Sequence, residues 1–252
     1  MPNSATKALK EIRPNWSAPK HVKALVTTRS GGYSAAPFDQ FNLATHVEDD
    51  PAQVAKNRAL LAQTYELPSE PVWLQQVHGI QVVRAELAGA DHIADAVTTS
   101  ESGVVCVVMT ADCLPVLFCD KSGSQVAAAH AGWRGLVNGV LETTRNTFTC
   151  DAADIIAWLG PAIGPKVFEV GDEVRAAYVE VDEALAAAFS PGEPGKWYLD
   201  IYYAARIRLS ALGINQVTGG DFCTYTDRER FYSYRREQRT GRMASLIWLD
   251  AS

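Results

Sequence analysis

Three short apolar runs, Val104–Met109, Pro115–Cys119 and Gln125–Ala129, follow one another with only a few turn residues between them. Each is rich in Val, Leu or Ala and is bounded by Asp, Gly or Ser, and none is long enough for a helix of ordinary length. Such runs are buried strands joined by tight turns, because a continuous apolar stretch of strand length hides both faces. They are also far shorter than the roughly 20 residues that a membrane-crossing helix needs.

Flanking signals supply the rest of the pattern. His21–Thr28 predicts a strand running into the glycine turn Arg29-Ser-Gly-Gly-Tyr33, where positive φ is tolerated. Asp50-Pro51 opens a helix, with Asp as N-cap and Pro in the first turn, and Val54, Leu61 and Tyr65 share one face. Val72–Val77 and Ile80–Ala85 predict two strands around His78-Gly79. Gly135–Phe148 and the Ala-rich Glu169–Phe189 each predict a helix, as does Leu199–Leu212 ahead of Gly213. Ile155–Leu159, Gln216–Thr218 and Ser245–Leu249 predict further strands. Strands and helices alternate irregularly, with hairpin-like pairs, which favours an α+β fold over a doubly wound sheet. Residues 1–20 are expected to be a loose or edge-packed lead-in, and 21–252 a single catalytic domain.

Several function classes are disfavoured. No glycine-rich dinucleotide or phosphate loop follows a strand. A net charge of −6 opposes a broad nucleic-acid footprint, although it leaves room for a small anion in a local basic pocket. The first residues have no apolar core of the signal-peptide kind, and five cysteines are an odd number for a disulfide framework. A cytoplasmic protein with reduced thiols, no membrane partner and no nucleic-acid partner is expected.

Three segments end strands on reactive side chains: Leu74-Gln-Gln-Val-His-Gly79, Thr110-Ala-Asp-Cys-Leu-Pro115 and Ala129-His-Ala-Gly-Trp-Arg-Gly135. Imidazole and thiolate are preferred zinc donors, so His78, Cys113 and His130 make three ligands with a fourth position open. The separations of 35 and 17 residues match no short metal motif. The same residues also suit a Cys113 nucleophile with His130 as base. Asp112 is a candidate acceptor for a ligating histidine or a general base. Candidates for anion and substrate contacts are Arg29, Asn42, His46, Gln76, Arg134, Arg235 and Arg236, the last two in the arginine- and aromatic-rich stretch Arg228–Arg242.

From about Lys20 to the C-terminus, TTRSGGYS, FNLATHVEDDP, LQQVHG, TADCLPVLF, AAAHAGWRGL, WLGPAIGP, FEVG and FYSYRREQRTGR resemble the signatures of the YfiH-like laccase-domain proteins. These are also called multicopper polyphenol oxidase-like or purine nucleoside phosphorylase family proteins. Ala44 and Glu48 stand where glycines often occur in the family. The resemblance implies zinc on His78, Cys113 and His130. It implies phosphorolysis of adenosine, inosine, guanosine and S-methyl-5′-thioadenosine, together with adenosine deamination. It further implies two mixed sheets packed together and flanked by helices, similar to the cytotoxic necrotizing factor catalytic domain. The expected partners are a purine nucleoside and phosphate, in a monomer or homodimer. Alternatives are a Cys–His hydrolase editing peptidoglycan precursors, a copper-dependent polyphenol oxidase, and a non-catalytic metal-binding module. Five histidines are too few for a multicopper cluster, so copper is the lesser expectation.

Overall fold

A computed structural model describes residues 8–87 and 92–250. In chain order the strands are β1 (Glu11–Ile12), β2 (Val22–Thr27), β3 (Leu74–Gln75), β4 (Val82–Arg84), β5 (His92–Ile93), β6 (Ala96–Thr99), β7 (Val105–Thr110), β8 (Leu114–Asp120), β9 (Val126–Ala131), β10 (Ile155–Leu159), β11 (Glu169–Gly171), β12 (Phe189–Pro191), β13 (Lys196–Leu199), β14 (Gln216–Gly219) and β15 (Met243–Leu249). The α-helices are α1 (Pro51–Thr64), α2 (Trp133–Asn138), α3 (Val140–Arg145), α4 (Asp172–Val181), α5 (Ile201–Ala211) and α6 (Tyr234–Glu237).

Two main sheets lie face to face. One has the order β1-β2-β15-β7 and is antiparallel throughout. The other has the order β14-β10-β8-β9-β6-β4 and is mixed, with parallel pairs at both edges. Two small sheets, β11-β13-β12 and β3-β5, and isolated bridges Val72–Cys106 and Ser102–Leu249 add to the pairing.

Strand alternation explains the layering. In β7, Cys106 and Val108 point between the sheets, where they meet Leu117, Cys119, Ala128, Ile156 and Trp158. Their neighbours Val105 and Val107 point outward, under α1 through Leu61 and the loop residues Phe41 and Leu43. The far face of the six-stranded sheet, including Val116, Phe118 and Ala157, is covered by Leu136, Leu141, Tyr178 and Leu209 of the helices. Each sheet is therefore buried on both faces, which is why its strands read as uninterrupted apolar runs. The fold is α+β, with its two principal sheets between helical layers.

Four sequence expectations change. Gly135–Phe148 is two helices, because Gly139 takes φ +104 and breaks the first from the second. Glu169–Phe189 is a strand, helix α4, a 3-10 segment at Glu183–Ala188 and another strand. Asp182 causes the break: it is extended, and its side chain accepts from Ala184 N to start the new turn. The predicted strands Val72–Val77 and Ile80–Ala85 shrink to β3 and β4, because the chain between them curls around a buried carboxylate described below. The strand β6, in Ala94-Asp-Ala-Val-Thr-Thr99, has no apolar run and was not expected, yet all four of its residues are buried.

Candidate metal centre

Three connections deliver the reactive side chains to one end of the sheets. His78 lies in the loop after β3, Cys113 in the turn between β7 and β8, and His130 within β9. The register of β8 on β9 pairs Leu114 with Ala131, so the next residues outward, Cys113 and Gly132, face each other. The ligand atoms of His78, Cys113 and His130 all lie within 4.8 Å of one another. Cys113 Sγ is 3.9 Å from His78 Nε2, and the two imidazole rings meet edge-on with centroids 4.8 Å apart. A tetrahedral zinc with Zn–N and Zn–S bonds of about 2.0–2.3 Å holds its donors roughly 3.3–3.8 Å apart, so the observed triangle closes onto an ion when its widest separation shortens by about 1 Å. His130 is buried, Cys113 is half-buried and His78 is exposed, so the fourth side of the site faces solvent.

Asp95 organises this site, and the sequence reading did not single it out. It is fully buried immediately before β6. Its carboxylate accepts from the backbone N of Val77 (3.2 Å), His78 (2.9 Å) and Gly79 (2.6 Å), and Oδ1 lies 2.8 Å from His130 Nδ1. Its backbone oxygen accepts from His130 N at 2.7 Å. One carboxylate thus fixes both histidines. It holds the ring of His130 with Nε2 toward Cys113, and it holds the backbone of the His78 loop. His78 has φ +60, a strained value for a residue with a side chain. Three successive N–H groups converging on one anion compensate that strain. Nothing local marks Asp95 as special in the sequence; only the pairing of Ala96 with Ala129 brings it under His130.

Asp112 does not take that part. Its carboxylate accepts from Thr224 Oγ1 (2.6 Å), Ser233 Oγ (3.0 Å) and Arg235 N (2.6 Å), so it ties the Cys113 turn to the C-terminal loops. The acceptor beside the His130 ring is Asp95.

The electrostatics are those of an ion pair. Burial pushes the Cys113 thiol up, but His130 and His78 outweigh it and bring the pKa down to about 6. Burial pushes His130 down, but Cys113 and then Asp95 raise it to about 9. In the metal-free protein this is a thiolate beside an imidazolium. Burial also opposes the Asp95 carboxylate, which His130 and the N–H groups of Gly79 and Val77 nevertheless hold below the usual range.

The other predicted site residues divide by what they already bind. Gln76 spans the edge of β7, donating to Met109 O (2.8 Å) and accepting from Met109 N (2.7 Å), so it pins the His78 loop to the sheet. Asn42 is fully buried and bonded to Ala44, Asp49 and Arg242 N. Arg236 spends all five N–H donors on Thr224 O, Tyr225 O, Phe231 O and Glu237, which leaves none for phosphate. Arg29 is engaged by Asp39 and Glu237 and lies over Tyr232. These four make their contacts within the protein, as a loop anchor and as braces. Arg235 is exposed and donates to Glu169 O; Arg134 is exposed over the Trp133 ring. His46 is largely exposed, and the partial desolvation of its ring, with Arg242 and Arg58 nearby, lowers its pKa. A cavity of about 610 Å³ lined by Lys166, Tyr202, Arg206 and Cys223 shares no residue with the trio. Convergence of donors, not volume, locates the chemistry.

Gly132 tests how tightly the triangle is built. A Cβ there would lie 3.0 Å from Cys113 Sγ and 3.1 Å from His78 Cδ2. Gly132→Ala is expected to weaken metal binding about tenfold by spreading these two donors, with little change in the unfolding midpoint of the metal-free protein. Metal competition against a chromophoric chelator measures it, and unchanged affinity would refute the close packing.

A family model described as multi-copper polyphenol oxidoreductase laccase matches residues 23–250. The chain is 55% identical over 240 residues to the purine nucleoside phosphorylase PA4543 of Pseudomonas aeruginosa, covering 95% of this chain and 98% of that protein. It is 54% identical over 243 residues to the purine nucleoside phosphorylase YfiH of Escherichia coli K12, covering 95% and 99%. Among solved structures, Neisseria meningitidis protein NMB0706 superposes with a TM-score of 0.93 at 46% identity, covering 96% of this chain and 99% of that one.

Proposed function

The chain belongs to the multi-copper polyphenol oxidoreductase laccase family, which includes the YfiH proteins, and on that premise we propose that it is a zinc-dependent purine nucleoside phosphorylase. Its substrates on this reading are adenosine, inosine, guanosine and S-methyl-5′-thioadenosine. The observation that carries the reading is one solvent-facing point shared by His78 Nε2, Cys113 Sγ and His130. It gains weight from relatives bearing the phosphorylase name at more than half identity.

His78, Cys113 and His130 would hold the zinc. Two nitrogens and one thiolate suit zinc, and among the described residues this is the one such cluster, which does not suit a multicopper centre. Bound there, zinc supplies a Lewis acid for polarising a substrate oxygen or nitrogen. The protein's own part is positioning. Asp95 keeps His130 in the tautomer that offers Nε2 to the centre, and Gln76 fixes the loop that presents His78. In phosphorolysis a hydrogen phosphate oxygen bonds to the ribose anomeric carbon as the bond to the purine nitrogen breaks. The electron pair leaves with the purine, which gains the proton that the hydrogen phosphate gives up. Adenosine deamination fits the same opening: a water oxygen bonds to the purine carbon bearing the amino group, and ammonia leaves.

One observation favours a second reading. Asp95, His130 and Cys113 also form the orienter, base and nucleophile order of a cysteine hydrolase. Assays of the four nucleosides, with and without phosphate, on zinc-loaded and chelated protein separate the two. Phosphate-dependent release of free purine that vanishes on chelation and returns with zinc supports the phosphorylase. Amide hydrolysis that survives chelation and is abolished by alkylating Cys113 would replace it.

A further inference from the structure

Among the arginines of its stretch, Arg242 is the half-buried one without a carboxylate partner; Arg228 and Arg235, which also lack one, are exposed. Arg230 pairs with Asp227, Arg236 with Glu237 and Arg239 with Glu48, and Arg235 donates to Glu169 O. Arg242 is half-buried and, among the described residues, has no carboxylate within salt-bridge distance. The guanidinium lies over the Tyr234 ring, and Nη1 donates to Thr240 O at 2.8 Å and Gly241 O at 3.0 Å; Nε and Nη2 have no acceptor among the described residues. Its backbone N donates to Asn42 Oδ1, which fixes where the chain enters β15.

That entry point lies beside the metal centre. Met243 pairs with Thr110 across β15 and β7, so Arg242 sits at the sheet end from which β7 runs on through Ala111 and Asp112 to Cys113. Burial works against the Arg242 charge, and the neighbours that favour it are Cys113, Asp112 and Tyr234. His46 stands four residues after Asn42, whose Oδ1 accepts from Arg242 N, and lies in the field of the same guanidinium. A half-buried cation with no carboxylate in contact, held by two carbonyls and offering two adjacent N–H donors, is arranged for a tetrahedral oxyanion.

We propose that Arg242, assisted by His46, is the phosphate-binding residue of this enzyme and holds the attacking anion next to the Cys113 edge of the metal site. The proposal rests on the phosphorylase reading for its role in turnover, but the anion site itself can be tested without turnover. Arg242 reaches the anion through Nε and Nη2, while Nη1 stays on the loop carbonyls and keeps the fork aimed. His46, neutral beside it, donates one further hydrogen bond.

The test uses inorganic phosphate on the zinc-loaded full chain. Calorimetric titration of phosphate and steady-state phosphorolysis of inosine are compared for the native protein, Arg242→Gln, Arg242→Lys, His46→Ala and Arg239→Gln. The expected result is a phosphate KM and Kd raised about 10- to 100-fold in Arg242→Gln, with partial recovery in Arg242→Lys and a rise of a few-fold in His46→Ala. Inosine Kd and zinc content should stay within about twofold, and Arg239→Gln, a nearby charge removed, should behave as the native chain. His46 is on the surface, so its variant reports even where Arg242→Gln is poorly folded. Unchanged phosphate affinity in Arg242→Gln and His46→Ala overturns the proposal, as does an equal loss of inosine affinity. Phosphate binding that depends on Arg242 in a protein that turns over no nucleoside would uphold the anion site and reject the phosphorylase reading.

Discussion

Asp95→Asn is expected to lower metal affinity about 10- to 100-fold, with a matching loss of turnover, in a protein that still folds. Asparagine keeps the shape of the buried side chain but replaces one acceptor oxygen with a donor. Four N–H groups converge on this carboxylate, from Val77, His78, Gly79 and the ring of His130. One amide oxygen cannot satisfy all four, and the amide N–H₂ must face at least one of them. The His78 loop then loosens, or the His130 ring turns, and either change moves a metal donor. Asp95→Ala goes further, because it leaves a buried imidazolium and three backbone donors without an acceptor. Breaking a buried pair in this way costs about 3–5 kcal/mol. Urea unfolding of the metal-free protein and zinc competition together give both values. Native-like zinc affinity in Asp95→Asn would mean that the histidines hold their places without it.

The legible part of this chain was what short-range chemistry dictates. The runs at β7, β8 and β9 are apolar because both faces of each strand are covered, and that shows in the sequence at once. Asp50-Pro51 announced α1 because its cap and first-turn residues are local signals. The metal trio was nameable because Cys and His at strand ends are few, but the resemblance, not the spacing, gave it priority. What stayed hidden depends on distant pairing. Strand β6 has small and hydroxyl-bearing residues that read as loop, and it becomes a strand by lying between β9 and β4. Asp95 inherits its role from that placement. The arginines Arg29 and Arg236 looked like anion forks in sequence, yet neighbouring carbonyls and carboxylates occupy them. An arginine's charge is visible in a sequence, whereas whether its donors are already spent is a property of the fold.

Metal affinity is expected to rise about tenfold per pH unit between the depressed pKa of Cys113 and the raised pKa of His130, then level off. The sign follows from which partner still carries a proton. Above its lowered pKa Cys113 is already a thiolate, so it has no proton to surrender. His130 is held protonated up to its raised pKa, and an incoming metal must expel that proton to reach Nε2. Each unit of pH therefore lightens the competition until His130 is neutral by itself. Below the Cys113 pKa a second proton must leave, and the dependence steepens. Near neutrality, binding should release about one proton per metal from this pair, measurable by calorimetry in buffers of different ionisation enthalpy. Cys113→Ser is the counterpart. It should lower affinity on the order of a thousandfold by exchanging a thiolate for a poor donor. It should also remove the foremost influence raising the pKa of His130, so the proton release shrinks and the pH slope flattens. A steep slope retained in Cys113→Ser would show that Asp95 alone keeps His130 charged; a native protein that binds zinc without pH dependence would remove the thiolate–imidazolium pair altogether.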